Sequence, residues 1–166
     1  MAIIIKRKSN LNIKILLLIM QRKKLIYNIN NYLNNNTILK RASQYLENIT
    51  LIDFKDEIKF DINKQYNKIL IYSSKYFDIY IICWTNNISS VIHNHPKNGC
   101  LMKILQGKLY EKLYDKNLKL IGNNIYKKDN ISYIDDTIGY HSISSLENNT
   151  ISLHIYSPPN LISSKY

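Results

Sequence analysis

Glycine, proline and cysteine are scarce in this chain of 166 residues, with four, three and two copies respectively. Gly99, Gly107, Gly122 and Gly139 stand too far apart to form a glycine-rich phosphate loop, which excludes nucleotide binding of the P-loop and dinucleotide types. Cys83 and Cys100 are too few for a disulfide framework or a four-cysteine zinc site, and so sparse a thiol count suits a reducing, cytoplasmic setting. The apolar run Ile15 to Met20 falls far short of the roughly 20 residues a membrane-spanning helix needs. Acidic residues number 12 against 23 basic ones, for a net charge of +11. A charge of that size attracts phosphate. Its distribution argues against a nucleic-acid partner, because the lysines are scattered. The densest groups, Lys6-Arg7-Lys8 and Arg22-Lys23-Lys24, also lack the interleaved aromatics of single-strand binders.

What remains is a composition 45% hydrophobic and 21% charged, that of a globular protein long enough for one domain. Residues 1–24 read as a basic and apolar leader, loosely packed, or as an extension upstream of a start at Met20. No small-residue cleavage site follows it, which disfavours a targeting peptide. From 25 to 166 a single domain is expected, opening with short helices over 25–50. Leu25, Ile26, Ile29, Tyr32 and Leu33 follow helical spacing, and a second helix capped by Thr37 would align Ile38, Leu39, Ala42, Tyr45, Leu46 and Ile49. Beyond Lys68 the period changes to two. Strands are predicted at 68–73, 77–84, 89–95, 100–106, 109–114, 118–121, 124–126, 131–134, 140–145 and 150–156, the pattern of a mainly β sandwich or barrel.

All four histidines, His93, His95, His141 and His154, lie in this strand-rich part. On a strand, His93 and His95 would share a face about 6.6 Å apart and could both reach one metal ion. His141, after Gly139-Tyr140, is the natural third ligand from a neighbouring strand. Taken alone, an H-x-H pair is more often a surface or core feature without metal. Its context is more specific: four residues separate His95 from Cys100 and six separate Cys100 from Gly107, the spacing of the first cupin motif with cysteine where many cupins place a glutamate ligand. Ser152, His154 and Tyr156, spaced by two, face one side of a strand and can share hydrogen bonds. Cys83, beside Trp84, reads as a small buried core residue.

Trp84, the segment from Ser90 to His95, the segment from Cys100 to Glu111, Gly139-Tyr140-His141 and the run from Ser152 to Pro159 occur here in one order. On these residues, over about 59–160, the sequence resembles a cysteine dioxygenase of the cupin superfamily, of the eukaryotic type. The resemblance implies a jelly-roll-like cupin β-barrel with short N-terminal helices and an Fe(II) ion held by His93, His95 and His141. Three neutral imidazoles leave such an ion its full double charge, which favours an anionic thiolate as the next ligand. The resemblance further implies a monomeric enzyme with L-cysteine and dioxygen as substrates and cysteine sulfinate as product, a step of cysteine catabolism and taurine biosynthesis. Tyr156 and His154 would be catalytic with Ser152 and Trp84 behind them, and Cys100 would form a thioether to Tyr156. Many bacterial relatives have glycine at that cysteine position. A cis bond between Ser157 and Pro158 is also implied.

The sequence departs from the family in three places. The segment that grips the substrate carboxylate is Tyr-x-Arg in the family and Tyr66-Asn67-Lys68 here, which replaces a two-pronged guanidinium with a point charge. The glycine that opens the first cupin motif is absent, with Asn86 and Asn87 in its region, and the chain reaches Tyr166 soon after Pro159, as in a trimmed or divergent member. Other readings therefore stay open. One is a dioxygenase for another small thiol, such as 3-mercaptopropionate or cysteamine, and another is a metal-binding cupin without activity. A zinc hydrolase, with three histidines and water on the metal, would leave Cys100 and Tyr156 unexplained.

Overall fold

Side chains alternate along the strands and sort themselves onto two faces. In the computed structural model, which describes residues 20–61, 63–85, 89–160 and 164–166, eight strands form two antiparallel sheets. The larger sheet has the order β1-β2-β8-β3-β6, formed by β1 (Tyr66–Ser73), β2 (Asp78–Trp84), β8 (Thr150–Tyr156), β3 (Cys100–Gln106) and β6 (Ile131–Ile134). The smaller has the order β5-β4-β7, with β5 (Leu120–Lys127), β4 (Lys108–Tyr114) and β7 (Tyr140–Ser145). Every residue of β8 is buried, as expected of a central strand covered on both faces.

On the outer face of the large sheet, Ile79, Ile81, Leu101, Leu153 and Ile155 pack against the N-terminal helices. On its inner face Ile82, Trp84, Met102 and Ile104 meet Leu109 and Ile143 of the small sheet. The two sheets therefore form a sandwich joined by its core, and among the described residues no strand ladder closes them into a continuous barrel. Gly107 carries the chain from β3 directly into β4 at φ +79°, where a Cβ would fall 2.3 Å from the Thr150 hydroxyl.

The first helix, α1, covers 20–35 and turns Leu25, Ile29 and Leu33 into the core. It begins inside the segment read as a leader; residues 1–19 lie outside the described ones, as do Asn86 and Asn87. The second helix is a 3₁₀ helix, Leu39–Leu46, with Ile38 rather than Thr37 at its N-cap. Leu39 and Ala42, three residues apart, come onto one edge at three residues per turn and are both buried. A further 3₁₀ turn, Leu51–Phe54, was not expected; the Thr50 amide donates to Asp53 Oδ2 at 2.7 Å. Lys103 points outward from β3 into this layer and is 1% exposed, its ammonium donating to the carbonyls of Leu46 and Glu47 at 2.9 and 2.7 Å. No helix among the described residues is long and apolar enough to cross a membrane.

Two strand expectations are corrected. The segments 118–121 and 124–126 are one strand, β5, paired without interruption from Lys127 to Gly122. The turn lies earlier, where Asp115 Oδ1 accepts the amides of Asn117 and Lys119 and Leu118 takes φ +61°. Residues 89–95 are not a regular strand and pair with β7 through two isolated bridges, Ser89 to Ser144 and His93 to His141. Between them the Ser90 hydroxyl accepts the Ile143 amide at 3.0 Å, taking the place a strand carbonyl would fill. The Ser157–Pro158 bond is cis, as expected.

Candidate metal centre

Three imidazoles meet between the sheets. His141 is carried by β7, which the chain enters through Gly139; a Cβ there would lie 2.4 Å from the Tyr114 carbonyl oxygen. His93 is fixed beside it by backbone bonds in both directions, at 3.0 and 3.3 Å. The His95 amide donates to Asp136 Oδ1 at 2.7 Å. The two residues of the H-x-H pair do come together, but loop bonds to β7 and Asp136 place them rather than the two-residue repeat of a strand.

Nε2 of His141 lies 3.0 Å from Nε2 of His95 and 3.2 Å from Nε2 of His93, and candidate ligand atoms of all three lie within 4.8 Å of one another. Nδ1 of His93 faces the Val91 carbonyl at 2.9 Å, and Nδ1 of His141 faces Glu111 Oε1 at 2.7 Å. Both partners are acceptors, so in these two rings Nδ1 carries the proton and Nε2 turns a lone pair inward. Burial, reinforced by the neighbouring imidazole of His141, holds His93 down to about 4 and depresses His95 as well, so both are neutral near pH 7. The lone pairs that His93 and His141 turn toward each other at 3.2 Å repel, and a cation relieves that repulsion. Metal–imidazole bonds of about 2.1 Å set at right angles put their nitrogens about 3.0 Å apart, which fits the observed spacing. An all-imidazole donor set suits iron, zinc, copper or nickel.

A second constellation runs along the inner face of β8. The Trp84 indole donates to Ser152 Oγ at 2.8 Å, Ser152 Oγ lies 2.8 Å from His154 Nε2, and His154 Nδ1 lies 3.4 Å from the Tyr156 hydroxyl. An indole N–H can only donate, so Ser152 accepts from Trp84; with the Ser152 O–H donating to His154 Nε2, His154 Nδ1–H points at the Tyr156 oxygen. That arrangement leaves the phenolic proton to the cavity or to the neighbouring Cys100 sulfur. Burial keeps His154 neutral, with Lys68 adding to the effect, and pushes the Tyr156 phenol well above its ordinary value. Cys100 is the strand partner of Tyr156, its thiol 3.8 Å from His154 Nδ1 and pushed up to about 12 by burial. Cys83 lies on the opposite face, in the core under the helices.

Tyr66 and Lys68 lie two apart on β1, with the Tyr66 ring against Trp84 at 4.9 Å between centroids. The Lys68 residue is solvent-accessible, yet its ammonium lies 4.2 Å from the Tyr80 ring centre and 4.3 Å from that of Tyr156. Burial of that ammonium lowers its pKa, opposed by Cys100 and Asp78. Lys68, Tyr66, His93, His141, His154 and Tyr156 all line one cavity of about 280 Å³.

Across residues 15–166 the sequence matches the family model described as cysteine dioxygenase type I. The chain belongs to the cysteine dioxygenase type I family. It is 30% identical over 116 residues to cysteine dioxygenase type 1 of Danio rerio, covering 64% of this chain and 58% of that protein. Against that of Rattus norvegicus it is 32% identical over 109 residues, covering 61% and 54%. The chain thus spans little more than half the length of these curated relatives. Its cupin fold is shared with a protein from Klebsiella pneumoniae with a double-stranded beta-helix domain (TM-score 0.56, 12% identity, 66% of this chain and 86% of that one). A cupin superfamily protein from Desulfitobacterium hafniense is similar too (TM-score 0.51, 15% identity, 61% and 84%).

Three residues at the site of this cysteine dioxygenase family member escaped the sequence reading. Glu111 backs His141, Asp136 holds the His95 amide, and Lys165 lines the cavity where its backbone bridges to His93. For Glu111 a signal existed. It shares the inward face of β4 with Leu109, where alternation calls for an apolar side chain.

Proposed function

We propose that this chain is an iron-dependent thiol dioxygenase that joins L-cysteine and dioxygen into cysteine sulfinate, both oxygen atoms ending on sulfur. The observation that carries this reading is the convergence of three imidazole nitrogens, two of them from His93 and His141 in the wall of a cavity that also holds the Lys68 ammonium and the Tyr156 phenol. Homologues named cysteine dioxygenase type 1 at about 30% identity support it. His93, His95 and His141 would hold Fe(II), which when bound supplies the redox chemistry that dioxygen requires and a charge that draws a thiolate.

The remaining work falls to side chains. Lys68 and Tyr66 would receive the substrate carboxylate, Lys68 as a point charge that can leave its two aromatic rings to do so. Tyr156 would donate its free O–H to the reacting end of the substrate while His154, Ser152 and Trp84 hold its oxygen still. A thioether between Cys100 and Tyr156 would fix the phenol further. Ile82 and Ile143 line the cavity with apolar surface, which limits water at the reacting centre. Residues 25–166 would act as one cytoplasmic, monomeric unit in cysteine catabolism and taurine biosynthesis.

Lysine in place of the family arginine favours a second reading, a dioxygenase for another carboxylated thiol. Anaerobic loading with Fe(II), followed by oxygen uptake with L-cysteine, 3-mercaptopropionate and cysteamine and identification of the product, separates the readings. Metal-dependent uptake fastest with cysteine and yielding the sulfinate is expected; faster turnover of 3-mercaptopropionate would establish the second reading. Bound iron without thiol-dependent uptake would leave only a metal-binding cupin.

A further inference from the structure

Behind His141, on the side away from the cavity, lies a carboxylate that the mechanism above does not use. Glu111 is 4% exposed, and both its oxygens are taken: Oε1 by Nδ1–H of His141 at 2.7 Å, Oε2 by the amide of Asn124 and the hydroxyl of Tyr126, each at 2.9 Å. These residues form a row across the whole small sheet, with Tyr126 and Asn124 on β5, Glu111 on β4 and His141 on β7. All three partners donate to it and no acceptor faces it to receive a carboxyl O–H, so Glu111 is held as an anion.

Two of these partners, an amide and a phenol, carry no charge, and the third is the imidazole of His141. Fixing the tautomer of a histidine does not require a charge. The Val91 carbonyl does the same for His93, and Nδ1 of His95 has no hydrogen-bond partner, with Asp136 Oδ1 3.6 Å away. Burying a carboxylate costs far more than burying a neutral acceptor, so the extra cost calls for a compensating positive charge nearby. Along this row of described residues, that charge belongs at His141 and at the metal position on its far side.

We propose that Glu111 is a positioning residue for the metal. Through His141 it supplies, one hydrogen bond removed, the negative charge that three neutral imidazoles lack, and it makes His141 the strongest donor of the three. Asn124 and Tyr126 hold the carboxylate in line. The inference rests on the metal reading given above and assigns to β5, which touches neither the cavity nor a ligand, a share in tuning the centre.

The test compares the wild-type protein with Glu111→Gln and Tyr126→Phe, using Fe(II) alone, and separately Co(II) alone, in anaerobic competition with a chelator. Melting of the metal-free proteins checks that each variant is folded. Affinity is expected to fall about 10- to 100-fold in Glu111→Gln and by less in Tyr126→Phe. The Fe(III)/Fe(II) potential is expected to rise in both and the Co(II) absorption bands to shift, changes that a loss of packing alone would not produce. If Glu111→Gln does not fold, Tyr126→Phe, which keeps the carboxylate and its bond to His141, decides the question by the same measurements. Tight binding by wild type with unchanged affinity and potential in the folded variants overturns this inference and leaves the metal reading standing. A wild-type protein that binds neither metal overturns both.

Discussion

Cys100 and Tyr156 face each other directly across the β3–β8 ladder, on the inner face of the large sheet beside Ile134. Directly opposed residues have Cβ atoms about 4.5–5.5 Å apart, close enough for a sulfur to meet an aromatic ring edge. The register of two central strands thus brings a thiol to a phenol, 56 positions along the chain, without any loop having to deliver it.

Joining them would replace an S–H and a ring C–H by a C–S bond, with dioxygen as the oxidant. Protein produced aerobically with iron is expected to weigh about two hydrogens less than its sequence mass, with Cys100 resistant to alkylation after denaturation. Cys83 should label fully in the same sample and so serves as the internal control. Complete labelling of Cys100 would reject the link.

Without the link, Cys100 acts as a reporter of alkaline stability. Its thiol is raised in the folded state from 9.0 to about 12, so the folded protein keeps the proton that the unfolded chain releases. The resulting stabilisation is complete below pH 9.0 and is lost as pH climbs toward about 12. Urea midpoints of metal-free, unlinked wild type and Cys100→Ala, measured from pH 8 upward, should show the wild-type advantage shrinking across that window. An advantage that grows with pH would contradict the assignment.

Tyr156→Phe removes the one hydroxyl proton that the Trp84–Ser152–His154 chain leaves free. Iron content should stay as in wild type while turnover falls by about 10²-fold. Stopped-flow oxygen consumption at saturating thiol checks it, and an unchanged rate would take the phenol out of the mechanism.

Lys68→Met should raise KM for L-cysteine about 10- to 100-fold, the worth of one charge-assisted hydrogen bond, and leave KM for cysteamine, which has no carboxylate, nearly unaltered. Lys68→Arg should keep or lower KM for cysteine. Equal effects on both thiols would show that Lys68 shapes the cavity without reading the carboxylate.

The large sheet was legible in the sequence because its strands are short runs rich in isoleucine, leucine and tyrosine, and the four residues Trp84, Ser152, His154 and Tyr156 could be grouped from spacing and resemblance. The histidine trio was found partly for an inexact reason. His93 and His95 meet through Ser90, Asp136 and the bridge to His141, contacts that no two-residue repeat encodes. Gly122 looked like a turn although it sits within a continuously paired strand, and the Thr37 cap failed because the following segment winds with a tighter period. Glu111 needed the register of three strands before its partners could be seen.

Lys103 bears on how the protein can be cut. Its ammonium ends on two carbonyls at the close of the 3₁₀ helix Leu39–Leu46, in a layer built mainly of leucine and isoleucine. Trimming the chain to its strands would strip away those carbonyls and strand a desolvated cation on a bare oily face. The helical prelude is therefore a lid the β sandwich cannot shed, and a minimal folded fragment has to begin ahead of it.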